Sequence, residues 1–135
     1  MSYARTMAEQ HPGEHPVDVQ ALTAAIDAAY DCAQACTACA DACLSEEDVA
    51  SQVRCIRLDL DCADVCATTG RVLSRQTAFD ADVTRAVLEA CIAACAACAE
   101  ECEVHGEHGM DHCATCAEAC RRCEQACRDL LAAIG

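Results

Sequence analysis

Small apolar residues, chiefly Ala and Cys, recur along this chain at steps of three and four, and the runs are broken at a few polar points. That period belongs to the α-helix, because residues three and four apart share one face. The punctuation sets the boundaries. Pro16 with Asp18 is a start signal. Ser45-Glu46-Glu47-Asp48 resembles a capping box with Ser45 as N-cap, Asp80 is the next N-cap, and Gly106 to Gly109 forms a turn. The pattern predicts helices over about 18–44, 46–74, 80–105 and 110–133, after an arm at 1–17 that is mobile or carries a short helix near 4–10. Short connections make successive helices antiparallel neighbours. The expected fold is therefore all-α, an up-down-up-down four-helix bundle occupying 18–135 as one domain.

The cysteines are in register with this pattern. Cys32, Cys36, Cys39 and Cys43 follow C-x3-C-x2-C-x3-C, and so do Cys91, Cys95, Cys98 and Cys102. Cys116, Cys120, Cys123 and Cys127 repeat it, with Cys113 in front. Cys55, Cys62 and Cys66 form a second stripe in which Asp59 takes a cysteine position. DCAQACTACADAC in the first helix resembles ACIAACAACAEEC in the third, which suggests a duplicated helical hairpin. Antiparallel connectivity puts the 1–2 and 3–4 loops at one end, and the thiol stripes run from there past the middle of each helix. At the other end they continue as Leu22, Ile26, Val72, Leu73, Val87, Leu88, Leu130, Leu131 and Ile134, with Phe79 and Val83 nearby. The pattern thus predicts a thiol-lined tube closed by an apolar plug. A protonated Cys packs as a small hydrophobe, so the metal-free chain is expected to be folded.

Composition sharpens this picture. There is no Trp, and Tyr3, Tyr30 and Phe79 are the aromatics, so bulky side chains do not fill the interior. Nine basic against 23 acidic residues leave a net charge of −14, which argues against nucleic acid and anionic membrane as partners. No apolar run is long enough to span a bilayer, and the first 16 residues carry no export signature, so the expected location is cytoplasmic. Thiols are kept reduced there, which favours metal binding over a disulfide scaffold.

Thiolates select Cu(I), Zn(II) and iron–sulfur clusters. One Cu(I) per thiolate leaves a neutral interior. Sixteen thiolates around four Zn(II) ions would bury a large excess of negative charge, at several kcal/mol per ion. Iron–sulfur motifs sit on loops and thioredoxin-like C-x2-C pairs need a βαβ unit; neither context is present. The favoured cargo is several Cu(I) ions per chain, and the alternative is a metallothionein-like zinc or cadmium sink. No catalytic constellation accompanies the thiols, so no enzymatic activity is expected.

His105 extends the third stripe beyond Cys102, His112 lies four residues before Cys116, and His108 lies between them, with Met110 adjacent. They mark a mouth where imidazole and thioether groups capture Cu(I) and pass it to Cys43, Cys102 and Cys113. His11 and His15, in the arm, read as solvated. Asp59 has two readings: a core carboxylate that helps neighbouring thiols lose protons, favoured by its helical angle, or an edge residue with Leu58 turned inward.

The four ladders, the helix count and the histidine-rich 3–4 loop resemble the bacterial copper storage proteins, in their cytosolic branch, over residues 18–134. The resemblance implies a four-helix bundle holding many Cu(I) ions in a cysteine-lined core and assembling as a homotetramer. Copper ions, further copies of the chain and a copper chaperone are then the expected partners, in copper homeostasis or detoxification. Asp59 departs from a full row of cysteines.

Overall fold

The structure is a computed structural model that describes residues 2–134; Met1 and Gly135, the outer ends of the expected arm and bundle, lie outside the described residues. Five α-helices and no strand are found among them: α1 Ala4–Gln10, α2 Val19–Leu44, α3 Val53–Leu73, α4 Ala81–Glu107 and α5 Asp111–Ile134. Helices α2 to α5 form the antiparallel bundle. Helix α2 packs on α3 and α5, and α4 packs on the same two, while α1 lies against α2. None of these helices is long and apolar enough to cross a membrane.

Two starts are capped as the sequence indicates. The Asp18 carboxylate accepts from the Ala21 N–H at 2.9 Å, and Asp80 accepts from the Val83 N–H at 3.0 Å. The Ser45 capping box does not form, and α3 begins at Val53 rather than near 46. Ser45 has helical dihedrals (φ −95°, ψ −1°), and its N–H goes to the Ala42 carbonyl while the Glu46 N–H goes to that of Cys43. It therefore ends α2, and an N-cap requires the extended backbone it lacks. A short 3-10 turn at Val49–Gln52 then carries the chain into α3.

The 3–4 turn also differs. Gly106 remains helical, and α4 runs to Glu107. A Cβ at Gly106 would stand 3.0 Å from the Ala114 Cα, so the missing side chain lets α4 and α5 approach closely. Gly109 makes the reversal itself, at φ 91°.

The core has two zones. Leu22, Leu73, Leu88 and Leu130 are its largest fully buried apolar side chains and close one end, while Val83 stays exposed. Beyond them the interior is sulfur: all 16 cysteines are buried free thiols. Thr23, Thr69 and Thr84, buried hydroxyls near the plug, donate to the Gln20, Val65 and Asp80 carbonyls about one turn earlier, so none is left unpaired.

Candidate metal centre

The thiols of four helices converge because each stripe occupies the inward face of its own helix. Pairs within a helix stand one turn apart, with Cys32 and Cys36 sulfurs at 3.7 Å and Cys62 and Cys66 at 3.7 Å. Pairs between helices are as close: Cys66 to Cys95 is 3.5 Å, Cys36 to Cys120 is 3.6 Å and Cys39 to Cys113 is 3.8 Å. Three sulfurs spaced in this way have a common centre about 2.2 Å from each, close to a metal–thiolate bond of about 2.3 Å.

These contacts build cages whose donor atoms lie within 4.8 Å of one another. Cys36, Cys98, Cys116 and Cys120 form one. The next, Cys32, Cys36, Cys62 and Cys120, shares Cys36 and Cys120 with it. A third, Cys32, Cys62, Cys66 and Cys95, shares Cys32 and Cys62, and a fourth, Cys66, Cys91, Cys95 and Cys123, shares Cys66 and Cys95. Cys127 adjoins Cys91 and Cys123 next to the plug. Each cage thus hands two ligands to its neighbour. The periodicity of one helix cannot show this sharing, because it depends on how four helices are staggered.

Asp59 lies inside the column. It is 0 % exposed. Its Oδ1 accepts from the thiols of Cys98 at 3.0 Å, Cys102 at 3.4 Å and Cys116 at 3.4 Å, and its Oδ2 from Cys55 at 3.9 Å. Leu58 is only half-buried. The carboxylate thus sits in the core and not at the stripe's edge. Burial, reinforced by the charge of Cys116, raises its pKa from 3.8 to about 7. Near neutrality Asp59 can therefore hold or release a proton beside four thiols.

At the open end, His112 Nδ1 faces Cys39 Sγ at 3.4 Å and Cys113 Sγ at 3.6 Å. With Cys43 these groups make another four-donor cage. His112 Nε2 lies 3.0 Å from Glu46 Oε1. The carboxylate accepts the Nε2 proton and leaves Nδ1 as a lone pair directed at the thiols, the usual way a second partner orients an imidazole ligand. Burial pushes the Cys43 thiol up to about 12 and raises Cys113 too. Met110 Sδ lies 4.0 Å from the Cys113 thiol.

The other two histidines are partnered by oxygen atoms. His105 Nε2 meets Glu101 Oε1 at 3.3 Å, and His108 is exposed with Nδ1 2.8 Å from the Val104 carbonyl. Both line the wide pocket of about 750 Å3 above the bundle, with Glu46, Glu47 and Asp48 on its opposite wall. Sequence reasoning missed the two carboxylate partners. Glu101 was readable as the i, i+4 neighbour of His105. Glu46 was not, since 66 residues separate it from His112.

Comparison with known proteins agrees with this geometry. The family model for "Copper storage protein" matches residues 18–132. The chain superposes on the copper storage protein Ccsp of Streptomyces lividans, loaded with 10 copper equivalents, at a TM-score of 0.94 and 54% identity, covering 96% of this chain and 98% of that one. A second structure, of copper loading to a cytosolic copper storage protein from Streptomyces lividans (five coppers), matches at a TM-score of 0.84 and 59% identity, over 86% of this chain and 96% of that one. The uncharacterized cysteine-rich protein YhjQ of Bacillus subtilis is 38% identical over 78 residues, which span 58% of this chain and 66% of that protein. A bundle of four helices lined by registered thiols beyond its leucine-closed end, together with a family match over nearly its whole length, makes this chain a member of the copper storage protein family.

Proposed function

We propose that the protein stores Cu(I) in the cytosol, taking ions in at the His105–His112 end and holding them along the thiolate column. The observation that carries this reading is the chain of cages sharing pairs of cysteines. An ion bound in one cage already touches two ligands of the next, so it moves inward by exchanging one sulfur at a time. The donors are all 16 cysteines, with His112 at the entrance, His105 and His108 as outer capture groups and Asp59 as an internal proton acceptor. Each Cu(I) displaces thiol protons, so loading releases protons and weakens as pH falls.

Charge selects the ion. Monovalent copper balances thiolates one for one, whereas filling the same buried column with divalent zinc leaves negative charge uncompensated where solvent cannot screen it. A zinc or cadmium sink is disfavoured on that ground. The reading includes no catalysis: the chain binds and releases its cargo, accepting it from a copper chaperone and limiting free copper in the cell. It also includes assembly as a homotetramer, for which exposed Leu44, Val53, Leu60 and Val104 offer apolar surface; sedimentation of the metal-free and loaded forms tests that point.

Anaerobic titration of the reduced protein with Cu(I) against a competing chelator tests the central claim. Saturation close to or above one copper per cysteine supports storage. Saturation after a few ions would rule it out.

A further inference from the structure

The closed end of the bundle carries a second set of metal-binding side chains, set against the leucine plug rather than the thiols. Helix α1 and the His11–Pro16 turn fold back over α2 and the end of α3 and enclose a cavity of about 480 Å3. Met7, His11 and His15 line it, together with Asp27, Asp31 and Gln76. Solvated arm histidines were the expectation from sequence. In the structure their ring centroids are 5.4 Å apart and both are half-buried.

His15 is the informative residue. Its Nε2 lies 2.6 Å from the Ala8 carbonyl oxygen. A carbonyl can only accept, so Nε2 carries the proton and Nδ1 is a lone pair. That Nδ1 is buried and has no hydrogen-bond partner among the described residues. Gln76 repeats the situation. Its side-chain amide donates to the Leu73 carbonyl at 2.8 Å, while its Oε1 is buried without a partner among the described residues and the residue is 6% exposed. His11 is better served, because its Nδ1 accepts from the Gly13 N–H at 3.0 Å and its Nε2 lies 3.2 Å from the Thr77 hydroxyl.

His15 and Gln76, each with a buried acceptor unpaired among the described residues, line one cavity, and two carboxylates line it with them. Of those, Asp31 is held by Arg122 at 2.6 Å, and Asp27 accepts from the Ser2 hydroxyl. Such walls suit a cation and repel an anion. Imidazole and thioether are the soft donors present, and among biological cations they favour Cu(I) over Mg(II) or Ca(II).

We propose that this cavity is a second, exchangeable Cu(I) site, anchored by His15 Nδ1 and completed by the Met7 thioether. It lies outside the store: its lining includes Leu22 and Leu73 of the leucine plug and no cysteine. Both donors are neutral, so an ion bound here releases no thiol proton and is held less tightly than one between thiolates. The site therefore fills after the column and empties first.

The test uses the full-length reduced protein after its thiolates have been saturated with Cu(I). Further Cu(I) is added from a weak chelator while the imidazole resonances are followed by 1H–15N correlation spectroscopy. The expected result is a shift of the His15 Nδ1 signal and one extra copper per chain, lost in His15→Gln and weakened in Met7→Leu. The thiolate-to-copper absorbance should be the same in all three proteins, which separates this site from the store. Met7 is exposed, so Met7→Leu preserves the fold and keeps the test open should His15→Gln not fold. An unmoved His15 signal, an equal copper count in wild type and a folded His15→Gln, or a shift with Zn(II) but not with Cu(I) would each overturn the proposal.

Discussion

Asp59→Asn tests the reading of the core carboxylate. In the folded chain this residue is fully buried and its pKa stands at about 7 instead of 3.8. At 1.36 kcal/mol per tenfold change in proton affinity, ionising it inside the bundle costs about 4 kcal/mol more than in the unfolded chain. Between those two pKa values the folded state keeps a proton that the unfolded state has lost. The contribution to stability is therefore complete below about pH 4 and disappears as pH rises through about 7. Asparagine has nearly the same shape as the protonated carboxyl, keeps an acceptor oxygen for Cys98, Cys102 and Cys116, and cannot ionise. The variant should match wild type near pH 4 and exceed its stability by up to about 4 kcal/mol near pH 8. Guanidinium unfolding of the reduced, metal-free proteins, followed by far-UV circular dichroism at one protein concentration, measures the difference. A gap that does not change with pH, or an Asn variant that is weaker near pH 8, would refute the argument.

The entrance and the helix contact offer further tests. Replacing His105 and His112 together should slow Cu(I) uptake in stopped-flow loading yet leave capacity nearly intact, and a large loss of capacity would show that they are storage ligands instead. Glu46→Ala should slow the first loading step by about tenfold or more, since it frees the His112 ring; Glu46→Gln, which keeps a carbonyl acceptor, should slow it less. Gly106→Ala sets a Cβ 3.0 Å from the Ala114 backbone. Forcing α4 and α5 apart costs about 1–3 kcal/mol, against about 1 kcal/mol gained in helix propensity. A lower melting temperature is expected, and an unchanged or higher one would mean that the helices part freely.

Much of this protein is legible along the chain because its chemistry and its fold share one period. Steps of three and four both define a helix and align its thiols, so the bundle, the inward cysteines and the leucine-closed end follow from local spacing, while spacing favoured the core for Asp59 and packing placed it there. Boundaries were less secure. Ser45 could open one helix or close another, and the closing geometry prevailed because its N–H was already taken by an α2 carbonyl. Gly106 looked like a turn residue but serves the packing of α4 on α5.

Cross-chain relations were invisible in the sequence for a different reason. Whether Cys36 meets Cys120, whether Glu46 reaches His112, and whether His15 is left with an unpaired nitrogen depend on the stagger and rotation of separate helices. Those quantities come from the packing of several faces at once, and no single stretch of residues encodes them. The sequence by itself determined that there are four thiol-bearing helices and which cargo balances their charge. Only the tertiary structure decided that the thiols join into cages sharing ligands, with one histidine directed at the entrance and another half-buried at the opposite end.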